Sequence, residues 1–174
     1  MLDPKNIEFV DYNNINNIII EQEYNKSLII LDKLIQIMEE RFVLLRSTKL
    51  DNFKSVVLIV DEFADLILQD KDNSFYNKLC KLCQKCRAAK IHIILSTQRP
   101  SFDIISGAIK ANFPARISCK VASHVDSKVV LDSSGAECLS GFGDALICDN
   151  FRHLERFQIA YTDAKEVCRY FGSI

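Results

Sequence analysis

The chain has 174 residues, 48% of them hydrophobic and 26% charged, enough to bury a sizeable core in one globular domain spanning residues 1–174. A formal net charge of −1 argues against coating nucleic acid by bulk charge, so any contact with it must come from a local patch or from assembly. No run approaches the roughly 18 uncharged apolar residues needed to cross a bilayer, and Met1-Leu2-Asp3-Pro4-Lys5 lacks a signal-peptide core; a cytoplasmic location is expected.

Along the chain, Leu28, Leu31, Ile35, Met38, Phe42 and Leu45 recur in alternating steps of three and four, which predicts an amphipathic helix from Asn25 to Ser47. Ser55-Val56-Val57-Leu58-Ile59-Val60 is then an unbroken apolar run ending in two adjacent acids, Asp61 and Glu62. A strand buried on both faces of a parallel sheet can place polar groups only where it leaves the core, at its carboxyl end, so these acids are expected at a crevice. The pattern reads as a Walker B strand: Asp61 serves Mg²⁺ and Glu62 orients or deprotonates an attacking water.

Helical spacing returns in Phe75, Leu79, Leu82 and Cys86, between Asn73 and Ala89. Cys80, Cys83 and Cys86 are spaced like part of an iron–sulfur ligand run, but they lack a fourth Cys and a Cys-Pro ending and read as packing residues. Seven cysteines without an export signal read as reduced thiols. Ile91 to Ser96 is a second short strand closing on Thr97-Gln98-Arg99-Pro100, with His92 inside it read as a core residue. A helix carrying Ile104, Ile105, Ala108 and Ile109 follows, interrupted by Gly107. Further strands are expected at Arg116–Val121, Ala145–Ile147 after a turn at Gly141-Phe142-Gly143-Asp144, and Arg156–Tyr161. The tail from Asp163 to Phe171 reads as a helix capped by Thr162 or Asp163. Strands alternating with helices imply an α/β sheet.

Three stretches, Asp61-Glu62-Phe63-Ala64-Asp65-Leu66, Gln84 to His92, and Ser96-Thr97-Gln98-Arg99-Pro100-Ser101, resemble the FtsK/SpoIIIE family of DNA translocases in order and spacing. The resemblance continues through Gly107 to Ile117, Asp126-Ser127, Leu131-Asp132, Gly135-Ala136-Glu137 and Gly141 to Asp144, covering essentially the whole chain. It implies a RecA-like P-loop NTPase core, a mostly parallel sheet flanked by helices, working as a hexameric ring on double-stranded DNA with ATP and Mg²⁺. By that analogy Asp61 is the Mg²⁺-associated acid, Glu62 the base and Gln98 a sensor of the γ-phosphate. Arg87 is assigned as an arginine finger acting on a neighbouring subunit, with Arg116 as the alternative. Lys110 and Arg99 are candidate DNA-facing cations.

With glycines only at 107, 135, 141, 143 and 172, no Gly-x-x-x-x-Gly-Lys-Ser/Thr loop can be formed. In the family that loop precedes a strand ending much like Met1-Leu2-Asp3-Pro4-Lys5, so the expectation is an N-terminally truncated motor domain, inactive by itself, that retains the Walker B and sensor half. The family's membrane-anchoring region and winged-helix module have no counterpart here. A non-hydrolysing remnant that docks into a ring or binds DNA is the alternative, as is a conjugation or packaging ATPase of the same superfamily.

Overall fold

The computed structural model describes residues 1–13, 15–49, 51–149 and 153–172. Expected as one domain, the chain divides into two compact units, Met1–Gln98 with Cys168–Ile174, and Arg99–Val167.

In the first unit, helix α1 (Tyr24–Thr48) leads to strand β1 (Val56–Val60), helix α2 (Phe63–Gln69), helix α3 (Ser74–Cys83), a 3₁₀ turn at Cys86–Ala89 and strand β2 (Ile91–Leu95). β1 and β2 pair in parallel, Val56 opposite Ile91 and Val60 opposite Leu95. Leu2 adds a parallel bridge to Val60 and another to Glu21, its N–H donating to the Ile59 carbonyl at 2.8 Å and its own carbonyl accepting from Asp61 N–H at 2.9 Å. Leu58, Val60 and Ile91 are buried on one face of the pair. Val57 and Ile94, 51% and 53% exposed, look out from the other, and His92, expected in the core, is exposed with them.

The α1 stripe that is buried is Ser27, Leu31, Leu34 and Met38, rotated slightly from the predicted one. α1 packs against α3, whose Phe75, Leu79 and Leu82 are fully buried. Asp70 closes α2 and accepts from the Phe75 and Tyr76 N–H groups at 3.0 and 2.8 Å, satisfying orphan donors of the first turn of α3. The Tyr24 hydroxyl donates to the same carboxylate at 2.6 Å. Arg41 donates to the carbonyls of Ala89 and Lys54 at 2.6 and 2.9 Å and stacks 5.1 Å above the Phe53 ring, tying α1 to the segments that enter both strands. The long helix expected from Asn73 to Ala89 ends at Cys83; α2, only seven residues, was not foreseen.

The second unit contains helix α4 (Gly107–Asn112), strand β3 (Arg116–Cys119), helix α5 (His124–Leu131), and strands β4 (Asp144–Cys148) and β5 (Leu154–Gln158) in an antiparallel sheet of order β3-β4-β5. Among the described residues, the parallel pairing expected of the chain is therefore confined to the first unit. Gly107 begins α4 rather than interrupting a longer helix, because the Ser106 side chain caps it by accepting from Ile109 N–H. α5 carries a capping box, Ser123 and Asp126 bonding reciprocally, which fixes the start of a helix that hydrophobic periodicity does not mark. Leu131, Ala136, Leu139 and Cys148 form the core of this unit. Helix α6 (Ala164–Gly172) begins beside Asp163, whose carboxylate accepts from Lys165 N–H at 2.9 Å.

Candidate functional site

The carboxyl ends of β1 and β2 lie side by side, so the residues leaving them meet. Ser96 N–H donates to the Val60 carbonyl at 2.9 Å and Phe63 N–H to the Ser96 carbonyl at 2.8 Å, stitching the two exits together. Between these bonds the chain turns through Glu62, at φ 44° and ψ 64°. This left-handed conformation costs a residue with a Cβ about 1–3 kcal/mol and persists only where the surroundings impose it, as they commonly do at functional sites. The turn swings Glu62 into the interior while Asp61 stays partly exposed.

Glu62 is 2% exposed. Its carboxylate accepts from the Thr97 hydroxyl at 2.6 Å, from the Gln98 backbone N–H at 3.2 and 3.3 Å, and from the Lys5 ammonium at 3.2 Å. Burial alone would raise its pKa; the Thr97 hydroxyl, the Gln98 amide and the Lys5 cation outweigh that and hold the carboxyl below its ordinary value. Asp61 accepts from the Ser96 hydroxyl at 3.1 Å. Lys5 is delivered by a tight loop closed by the fully buried Asp3, whose Oδ2 accepts from the N–H groups of Ile7 and Phe9 at 3.1 Å each.

Asp61, Glu62 and Gln98 are thus brought to one place, with the Gln98 main chain rather than its side-chain amide contacting Glu62. Arg87 lies elsewhere, in the turn before β2, at the opposite end of that strand, roughly 16 Å away by strand rise. There it is exposed and lines a shallow cavity of about 510 Å³ with Asp51, Gln84, Lys85, Ala88 and Lys90. Arg99, first residue of the second unit, is exposed. Lys110 sits in α4 only 16% exposed, paired with Asp132 at 2.7 Å, and Arg116 shares that carboxylate at 2.7 Å. Both side chains are engaged within their own unit, unlike the open cation that Lys110 was expected to offer DNA. Lys5 and Thr97 are the residues that sequence reasoning missed: Lys5 is 57 positions from its partner, and only the Asp-Pro-Lys turn beside β1 brings it close.

A carboxylate beside a hydroxyl suits a hard cation such as Mg²⁺, which keeps waters and phosphate oxygens as its remaining ligands and needs few protein groups. Among the described residues no cluster of three or more His, Cys, Asp or Glu forms a metal cage. Burial pushes the Cys83 thiol up to about 12 and raises that of Cys86, so these two do not offer ready thiolates.

Two apolar parallel strands delivering adjacent acids from one exit and a Thr-Gln pair from the other belong to an α/β core of RecA-like fold. Solved structures bear this out: the conjugation coupling protein TcpA of pCW3, determined as a monomer with ATPγS, superposes with a TM-score of 0.83 at 24% identity, over 95% of this chain and 52% of that one. The cytoplasmic domain of the type VII secretion ATPase EccC of Thermomonospora curvata follows, with a TM-score of 0.65 at 18% identity, over 82% of this chain and 19% of that one. Residues 47–102 match the FtsK/SpoIIIE family model. A DNA translocase FtsK of Campylobacter jejuni is 40% identical over 164 residues, covering 84% of this chain and 17% of the relative. That of Borreliella burgdorferi is 38% identical over 189 residues, covering 97% of this chain and 24% of the relative. The chain belongs to the FtsK/SpoIIIE family and spans about a fifth of the length of these relatives. Among the described residues no helix is long and apolar enough to cross a membrane.

Proposed function

We propose that this chain carries the Walker B and sensor half of an ATP-driven motor that moves double-stranded DNA, acting in a hexameric ring. The observation that carries the reading is the convergence of Asp61 and Glu62, at the exit of β1, with Thr97 and Gln98, at the exit of the parallel neighbour β2. Asp61, with Ser96 beside it, would hold Mg²⁺, which would neutralise charge on the phosphate oxygens. Glu62 takes a proton from the attacking water. Gln98 senses the γ-phosphate, since a side-chain amide can both donate and accept and so can contact a phosphate oxygen before hydrolysis and release it afterwards.

Arg87 acts as the arginine finger in trans. Its exposure at the far end of β2 from Glu62 suits service to a neighbouring subunit, and a guanidinium keeps its charge at any relevant pH. DNA contact draws on Arg99, with Lys110 contributing only if its pairing with Asp132 opens. The phosphate cradle comes from outside these 174 residues, because none of the five glycines lies in a phosphate-loop pattern.

The experiment is Glu62→Gln in an intact motor that includes a phosphate-binding loop. ATP binding is retained and hydrolysis falls by 10² to 10⁴, roughly the contribution of a positioned general base. Turnover at the parental rate would remove Glu62 from this role.

A further inference from the structure

We infer that Thr97 is a positioning residue that parks Glu62 in a resting arrangement, that Lys5 positions the same carboxylate once it is freed, and that the Thr97–Gln98 segment at the end of β2 is the latch that releases it. The inference rests on the reading of Glu62 as the base. In the structure one carboxylate oxygen, Oε1, accepts from the Thr97 hydroxyl at 2.6 Å and from Gln98 N–H at 3.3 Å. The other, Oε2, accepts from the same N–H at 3.2 Å and from Lys5 Nζ at 3.2 Å. A carboxylate has about four lone-pair positions, and these donors meet both oxygens of a side chain that is 2% exposed. So held, Glu62 cannot reach a nucleophilic water. It must first give up protein donors.

Two of the three donor groups, the Thr97 hydroxyl and the Gln98 amide, sit on consecutive residues. One small displacement at the end of β2 removes both, leaving the tether to Lys5, which comes from a different segment on a long flexible stem. The proposed sensor and the latch are therefore the same piece of chain. A shift of Gln98 on meeting a phosphate moves its own N–H, and the base is freed without any longer path between the two events. Lys5 stays paired and keeps the freed carboxylate aimed into the crevice.

Two experiments test this. In the purified chain, the Gln98 amide exchanges with deuterium at least about tenfold more slowly than an unstructured chain, although Gln98 is exposed and outside any strand. Glu62→Ala abolishes that protection while the Phe63 amide, bonded to Ser96, keeps its own. A Gln98 amide that exchanges freely in the parent overturns the latch without touching the role of Glu62.

In the intact motor, Thr97→Val raises DNA-free ATP turnover about tenfold with KM for ATP unchanged, and Thr97→Ser returns it to the low value. Lys5→Met moves the opposite way, lowering kcat with KM unchanged, and Lys5→Arg restores it. If Thr97→Val leaves DNA-free turnover unchanged or lowers it, or if both changes shift kcat in the same direction, the latch is refuted. Normal hydrolysis by Glu62→Gln would instead refute the underlying assignment of the base.

Discussion

Backbone conformation at single residues explains several features that side-chain chemistry alone does not. Glu62 occupies left-handed space because Phe63 must reach back to the Ser96 carbonyl, and that reversal is what turns an acid at a strand exit into a buried one. Gly143, at φ +86°, meets the same demand without a side chain: a Cβ there would lie 2.6 Å from Gln158 Nε2 and 2.9 Å from the Ile159 carbonyl oxygen. The Ile159 oxygen is main chain and cannot swing aside. Gly143→Ala should therefore cost about 1–3 kcal/mol in denaturant titration, with the loss confined to the second unit. A midpoint shift too small to measure would show that the turn can relax.

At the level of elements, shared carboxylates organise both units. Asp70 joins α1, α2 and α3 through Tyr24, Phe75 and Tyr76. Removing the hydroxyl with Tyr24→Phe leaves the two N–H bonds in place and should cost about 1–2 kcal/mol by chemical denaturation. Burial and then the Asp70 bond raise the Tyr24 pKa to about 12, above its unfolded value near 10. Its contribution is thus present below pH 10 and fades as pH rises from 10 to 12; Tyr24→Phe should flatten that alkaline loss.

Asp144, at the start of β4, is held by the Arg156 guanidinium at 2.8 and 2.6 Å and by Ser140 N–H at 2.7 Å. The Arg156 bond first, and then the Ser140 amide, keep its pKa well below the ordinary carboxylate range. A depressed folded pKa gives stability that is present above the unfolded value near 4 and is lost as pH falls below it. Melting curves from pH 6 to pH 2 should show the decline, and Asp144→Asn should weaken it; an unchanged acid limb would assign the loss to other groups.

What could be read from residues alone follows the same division. The unbroken apolar run of β1 and the alternating steps of α1 are periodic over enough residues to declare themselves. α2 is only two turns long, so its pattern merges with the strand exit before it. The capping box Ser123-x-x-Asp126 was legible and marks a helix that periodicity did not flag. Antiparallel pairing of β3, β4 and β5 was not legible, because short apolar runs do not say which neighbour they choose. At the site, Asp61, Glu62 and Gln98 announce themselves by standing at strand exits, whereas the ion pair of Lys5 is a product of topology.

For the molecule as a whole, the acids and the Thr-Gln pair are assembled here while the phosphate cradle is not. The chain by itself should release no phosphate from ATP above background, and measured turnover by the purified chain would contradict the division of labour proposed above. In a ring, mixing Arg87→Ala subunits with Glu62→Gln subunits separates the two sites: a finger serving its neighbour gives activities that depart from the weighted sum of the two parents. Strict additivity at every ratio would make Arg87 an ordinary surface residue.

Leu2 is fully buried, and its carbonyl is the acceptor for the Asp61 amide. The bend that presents the two acids is therefore anchored on one side by the first few residues. Deleting Met1 to Lys5 would strip β1 of its flanking partner and Glu62 of its cation in a single event. Such a deletion would disarm the crevice while sparing every residue from Asp61 to Gln98, a form of damage that scanning mutagenesis of the motif itself would never uncover.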